Sequence, residues 1–261
     1  MESVGFHEAR ALLAWQLELG ADECICEAPV NCYELPEKLA KPVKPEAAAR
    51  PAPVAETPVA RDPVAVAEAA AAGAATLEEL RAALAQFEHC DLKRGARNLV
   101  FSDGVPGARV MIVGEAPGRD EDRVGRPFVG QAGQMLDRMF QAIDLGRDKA
   151  DAPVYITNTL PWRPPQNRDP KPEEIAMMRP FLLRHIELAA PEVLVLMGNW
   201  ACQALLGKRG ILRLRGHWTE AAGRPTLPMC HPAYLLRTPE AKRDAWSDLL
   251  TLKARLERAN G

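Results

Sequence analysis

Four short apolar runs in this 261-residue chain stop at groups able to accept a proton, donate a hydrogen bond, or do both. The run ending at Gly114 continues into Glu115-Ala116-Pro117-Gly118-Arg119-Asp120-Glu121-Asp122, YIT into Asn158, VLVLM into Gly198-Asn199, and LPMC into His231-Pro232. Glycines flanking Pro117 make a tight turn whose backbone N–H groups can approach an anionic or carbonyl oxygen. The turn is neither a GxxxxGK[ST] phosphate loop nor a GxGxxG fingerprint, which disfavours nucleotide cofactors. Every one of these residues has a plainer reading too: a strand-to-helix turn, a cap at Asn158, a core plug at Phe128 within Arg126-Pro127-Phe128-Val129-Gly130, a structural histidine at His231. A flat aromatic face beside an amide that both donates and accepts nonetheless suits the edge of a planar base.

The elements that must position these groups alternate. LEELRAALAQFE reads as a helix, ARVMIVG as a buried strand, GQMLDRMFQAI as a helix, APVYITN as a strand, and PEEIAMMRPFLLRHIELA as a helix. EVLVLMG is then a strand, NWACQALLG a helix, TLPMC a short strand, and PEAKRDAWSDLLTLKARLERA a closing helix. Short apolar runs between helices of this length imply an α/β fold, three layers of α/β/α around a central, mainly parallel four-stranded sheet. In such sheets ligands bind beyond the carboxyl ends of the strands, where the chemistry-bearing residues fall.

The length suits one catalytic domain with an appendage. With 33 basic and 35 acidic residues, any contact with nucleic acid must come from a local patch. No stretch has the roughly 20 apolar residues of a membrane span and the start lacks a signal core, so a cytoplasmic protein is expected, with its six cysteines as thiols or metal ligands. Residues 1–35 read as an amphipathic segment, with Phe6, Leu12, Leu13, Trp15, Leu17 and Leu19 on a short helix that either docks a partner protein or packs on its own domain. Residues 36–75 read as an Ala/Pro-rich, disordered linker whose alanine-rich end could be helical, and residues 76–261 as the catalytic domain.

Together, GEAPGRDED, GRPFVG, YITN, RPPQNRDP and HPAYLLR resemble the motif set of the uracil-DNA glycosylase superfamily, family 4 in particular, over roughly Phe87 to Glu257. The resemblance implies that fold and hydrolysis of the N-glycosidic bond of deoxyuridine, with release of uracil and an abasic site, on a nucleotide extruded from the duplex. By the same resemblance His231 hydrogen-bonds the uracil carbonyl that gains charge, Glu115 matches the glutamate of GEAPG, and Asn167 places the attacking water. Phe128 stacks on the base, Asn158 reads its edge, and Glu121 lies beside it, where it would help to exclude the thymine methyl. Ala116 stands where another branch carries a water-activating aspartate, which rules out a general base at that position.

Contacts to DNA are expected from Arg163, Arg168 and Lys171 beside the asparagine loop and from Lys208, Arg209, Arg213 and Arg215 in GKRGILRLRGHW. The resemblance adds Tyr234, Leu235, Leu236 and Arg237 as a segment entering the duplex near the vacated base. Family 4 carries a four-cysteine iron–sulfur cluster, but only Cys90 matches here, because Phe87, Trp162 and Met178 occupy the other ligand positions. The expectation is an enzyme with no cofactor and no metal site, acting as a monomer on uracil-containing DNA, without membrane contact. No lysine falls in the matched pocket motifs, so a monofunctional glycosylase is expected. Two other readings stand beside it: a binder of uracil or damaged DNA without turnover, and a module that recruits repair or replication proteins through its N-terminal segment. The short LGRDKADAP disfavours covalent trapping.

Overall fold

A computed structural model describes residues 62–258, and the amphipathic segment expected over residues 1–35 lies outside them. Layering follows from side-chain alternation in the strands. In β2 (Val110–Gly114), Val110 and Ile112 enter one apolar cluster while Met111 and Val113 enter another on the opposite face. The remaining central strands, β3 (Val154–Asn158), β4 (Val193–Met197) and β6 (Arg224–Met229), are buried along most of their length, as strands covered on both sides must be.

The sheet runs β1-β3-β2-β4-β6-β5. Its four central strands are parallel, as the sequence suggests. Antiparallel β1 (Asp103–Gly104) and β5 (Thr219–Ala221) extend it at either edge to six strands, too short to leave an apolar period in the sequence. The chain passes from β2 to β3 on one side and back across to β4 on the other, so the carboxyl ends of β2 and β4 flank a topological switch point.

The first described helix, α1 (Pro63–Ala72), agrees with a helical alanine-rich end of the stretch expected as a linker over residues 36–75, whose residues 36–61 lie outside the described ones. Asp62 accepts a hydrogen bond from the Val64 N–H at 3.0 Å, and Pro63 sits in the first turn, so this proline starts a helix instead of blocking one. Ala67 and Ala71 are buried, and the Arg184 guanidinium donates to the Ala74 carbonyl at 2.9 Å. The described fold therefore already includes residues 62–75, ahead of the boundary expected at residue 76. α2 (Leu77–Gln86) and α3 (Leu92–Gly95) follow, then α4 (Arg119–Val124) and α5 (Gln131–Gln141) between β2 and β3. The long α6 (Pro172–Ala189), α7 (Asn199–Leu206), α8 (Ile211–Leu214), α9 (Pro232–Arg237) and α10 (Lys242–Arg258) complete the layers. Among the described residues no helix is long and apolar enough to cross a membrane.

Candidate active site

At the carboxyl ends of the parallel strands lies a crevice of about 380 Å³, lined by residues from all four strand-end loops and from the RPFVG and asparagine loops, but not from GKRGILRLRGHW. Gly114 ends β2 at its floor. A Cβ there would meet the Asn158 amide oxygen and, at 2.5 Å, the Phe128 ring, so only glycine lets both side chains lie against the backbone. Behind it the Thr159 hydroxyl and N–H both donate to the Gly114 carbonyl, at 3.0 and 2.9 Å, and lock the ends of β2 and β3 together.

Glu115 turns toward the start of α7, where its carboxylate accepts the Trp200 N–H at 3.1 Å. Gly198, at φ +95, makes room, since a side chain there would run into that carboxylate. Burial pushes the Glu115 pKa up, only partly opposed by the N–H groups of Trp200 and Asn199.

Glu121 braces the neighbouring loops. Its carboxylate accepts the Gly118 N–H at 3.0 Å, the Val129 N–H at 3.0 Å and the Gly130 N–H at 2.9 Å, stitching the GEAPG turn to the RPFVG turn. Within the second of those turns Phe128 takes φ 54, a left-handed conformation costly for an aromatic residue. Its carbonyl accepts from Arg147 Nη2 at 2.9 Å, while Arg147 Nη1 reaches the Pro127 carbonyl at 3.2 Å and Asp103 at 2.6 Å, and Nε reaches Asp137 at 2.9 Å. Gly133 of α5 leaves space for that carbonyl, which any Cβ would strike. The Phe128 ring consequently lies 5.5 Å from the His231 ring, at an interplanar angle of 27°.

His231 caps α9. Its Nδ1 accepts the Ala233 N–H at 3.2 Å, which leaves the proton of the neutral ring on Nε2 as a donor. Burial, reinforced by the Arg237 charge, lowers its pKa to about 4, so the imidazole is neutral at physiological pH. Asn167 sits on a short 3-10 turn (Pro165–Asn167), its amide oxygen held by Arg163 Nε at 2.8 Å. Arg168 pairs with Glu174, which also accepts the Lys171 N–H at 2.8 Å and anchors that turn to α6.

The crevice thus brings together Glu115, Ala116, Glu121, Phe128, Asn158, Asn167, Arg168, His231, Tyr234 and Arg237. Arg163 stands behind Asn167 instead of on the wall. Two expectations need correcting. Leu235 is wholly buried in the core, because the turn of α9 points it inward and its neighbour Leu236, 40% exposed, outward. Arg215 is engaged by Asp248, whose residue is 1% exposed, and anchors its loop in place of meeting phosphate. Glu121 lines the crevice where a base would lie, and its two oxygens also accept backbone N–H groups. Sequence reasoning missed Trp200 and Asp169 on the crevice wall, although Trp200 directly follows Gly198-Asn199 and Asp169 lies within RPPQNRDP. Arg147, Asp103 and Gly133 leave no local signal, since their role exists only once the Phe128 turn has formed.

Phe87, Cys90, Trp162 and Met178 meet in one apolar cluster, each no more than 4% exposed, packed with Leu80, Leu84 and Phe181. One thiol among three groups that cannot supply a thiolate does not fit a four-thiolate cluster. Burial also pushes the Cys90 pKa up, away from the thiolate that a metal would need.

Comparison with known proteins gives a family match and several relatives. The family described as "Uracil DNA glycosylase superfamily" matches residues 101–250. The type-4 uracil-DNA glycosylase of Archaeoglobus fulgidus is 37% identical over 182 residues, covering 66% of this chain and 89% of that protein. That of Thermotoga maritima is 38% identical over 170 residues, covering 63% and 86%, and that of Sulfurisphaera tokodaii is 36% identical over 178 residues, covering 64% and 79%.

Proposed function

The chain belongs to the uracil DNA glycosylase superfamily, and from that premise we propose that its crevice hydrolyses the N-glycosidic bond of deoxyuridine in DNA, as a monofunctional enzyme of base excision repair. The observation that carries this reading is the joint placement of Phe128, Asn158 and His231 around one crevice at the switch point of the sheet. An extruded uracil lies on the Phe128 ring, and the Asn158 carboxamide accepts from its N3–H and donates to O4. As the bond from C1′ to N1 lengthens, its electron pair moves onto N1 and the O2 carbonyl. His231 donates Nε2–H to that oxygen without transferring the proton, because a neutral imidazole is a poor acid and a good hydrogen-bond donor.

The sugar left behind is cation-like and is attacked by water at C1′. Asn167 orients that water, and Glu115, a carboxylate held out of bulk solvent, faces the developing positive charge and takes the water proton. Glu121 acts indirectly, by fixing the turn that presents Phe128. No step passes through a metal or cluster, in keeping with the apolar packing at the cysteine-equivalent positions. Tyr234 and Arg237 on the crevice wall, with the exposed Leu236 between them in sequence, supply a wedge and a cation for the gap and its flanking phosphate. The enzyme works as a cytoplasmic monomer at DNA, with its N-terminal segment available to a repair or replication partner.

The test is cleavage of a labelled oligonucleotide carrying one deoxyuridine, developed with alkali. The intact chain should give strong cleavage that Asn158→Ala and His231→Ala each reduce by about a hundredfold or more. Tight binding of the uracil strand without alkali-labile product would instead establish a damage binder.

A further inference from the structure

Among the large apolar side chains of the described residues, Leu212 is the most exposed, at 62%. It sits on α8, the four-residue helix of the segment Gly207–Gly216, whose other apolar members, Ile211 and Leu214, pack against the core. The segment alternates inward and outward: Ile211 and Leu214 anchor it, while Leu212 and Arg213 project.

Two polar anchors fix how they project. On one side the Asn199 amide oxygen accepts the Gly210 N–H at 3.0 Å and the Ile211 N–H at 2.9 Å, tying the turn to the start of α7. On the other, Arg215 Nε donates to Asp248 at 2.9 Å and its far nitrogen donates to the Asp244 carbonyl at 2.6 Å. A leucine 62% exposed among the described residues, at the tip of a well-anchored turn, contributes little to the packing of the core. The same turn carries exposed Lys208, Arg209 and Arg213. It joins the crevice directly, since the Arg209 guanidinium lies 4.1 Å over the ring of Trp200, which lines the crevice wall.

We propose that Leu212 and Arg213 form a second DNA-contacting tip, beside the Trp200 edge of the crevice, which presses on the base stack flanking the extruded nucleotide and holds an adjacent phosphate. This rests on the reading of the crevice as a uracil pocket. The occupant is duplex DNA because the tip pairs one apolar wedge with three cations, a combination that matches an unstacked step between phosphates. A single strand has no continuous stack for a rigid wedge to part, so the tip distinguishes the two forms.

Binding is measured by fluorescence anisotropy with a labelled duplex holding a central abasic site and with the matching single strand, alongside uracil release. Leu212→Ser should weaken duplex binding about tenfold and single-strand binding less than about threefold, with an unchanged melting temperature because the side chain is exposed. Arg213→Gln should lower the slope of log Kd against log salt by about one on the duplex. Duplex binding by Leu212→Ser equal to that of the unaltered chain, or an equal loss on both substrates, would overturn the proposal and leave the tip as a surface for a protein. Should the unaltered chain bind both DNAs but release no uracil, the glycosylase reading fails while the contact itself is still decided by the variants.

Discussion

Phe128 holds its positive φ because three groups of ordinary appearance enforce it: Arg147 grips its carbonyl, Glu121 grips the next two N–H groups, and Gly133 leaves space for its backbone. Arg147 is the most demanding of these, with a side chain 9% exposed that serves two carbonyls and two carboxylates at once. Lysine can match the charge but not the planar fork. Arg147→Lys is therefore expected to lower kcat/KM by about tenfold or more, whereas Asp137→Asn, which loosens the same guanidinium from its solvent side, should lose less. Steady-state kinetics with melting curves separate the effect on the site from the effect on folding; equal, small losses in both variants would mean that Arg147 does not position Phe128. Glu115 allows a prediction with a sign. Its pKa is raised above the ordinary 4.5, and the proposed role needs the ionised form, so activity should fall with acidification through a limb lying above that value. Glu115→Gln should be slower by about a hundredfold and lack the limb, a result read from kcat/KM across pH.

At the scale of elements, α1 and the apolar cluster around Trp162 hold the asparagine turn and the segment after β3 against α6. A chain beginning at Asp62 keeps α1, and one beginning at Leu77 loses it. The second should be less stable by about 2 kcal/mol, from the buried methyls of Ala67, Ala71 and Ala74, each no more than 4% exposed. Thermal melting of the two truncated chains checks this, and identical curves would show that α1 is only an ornament on the body. The Ala-rich run was hard to place from sequence because proline in its context marks both a linker and a helix start. What separates them is Asp62 in front of Pro63 and a partner surface on α6, and only the first of these can be seen in the sequence. Edge strands β1 and β5 were illegible for a different reason, being two and three residues long.

For the whole molecule, the parallel sheet and the convergence of Glu115, Asn158 and His231 were legible because strand ends and chemical groups coincide in the chain. What was not legible depends on side-chain direction: Leu235 against Leu236, or Arg215 against Arg213, differ by a rotation that the sequence does not display. The bracing of Phe128 joins residues that are distant in the chain, such as Asp103 and Arg147, and emerges only from the assembled fold. The molecule as a whole carries a formal charge of −2, so attraction to DNA has to be local to the crevice rim and the Leu212 turn. Central to the proposed function is turnover of uracil in DNA by this crevice without a metal cluster. The most direct test is to quantify free uracil by chromatography after incubating the purified chain, treated with an iron chelator, with excess uracil-containing DNA. Many equivalents of uracil per protein, with abasic sites in equal number, are expected. One equivalent or less from a chain that still binds the DNA would contradict catalysis, and turnover that vanishes with the chelator would contradict the cluster-free site.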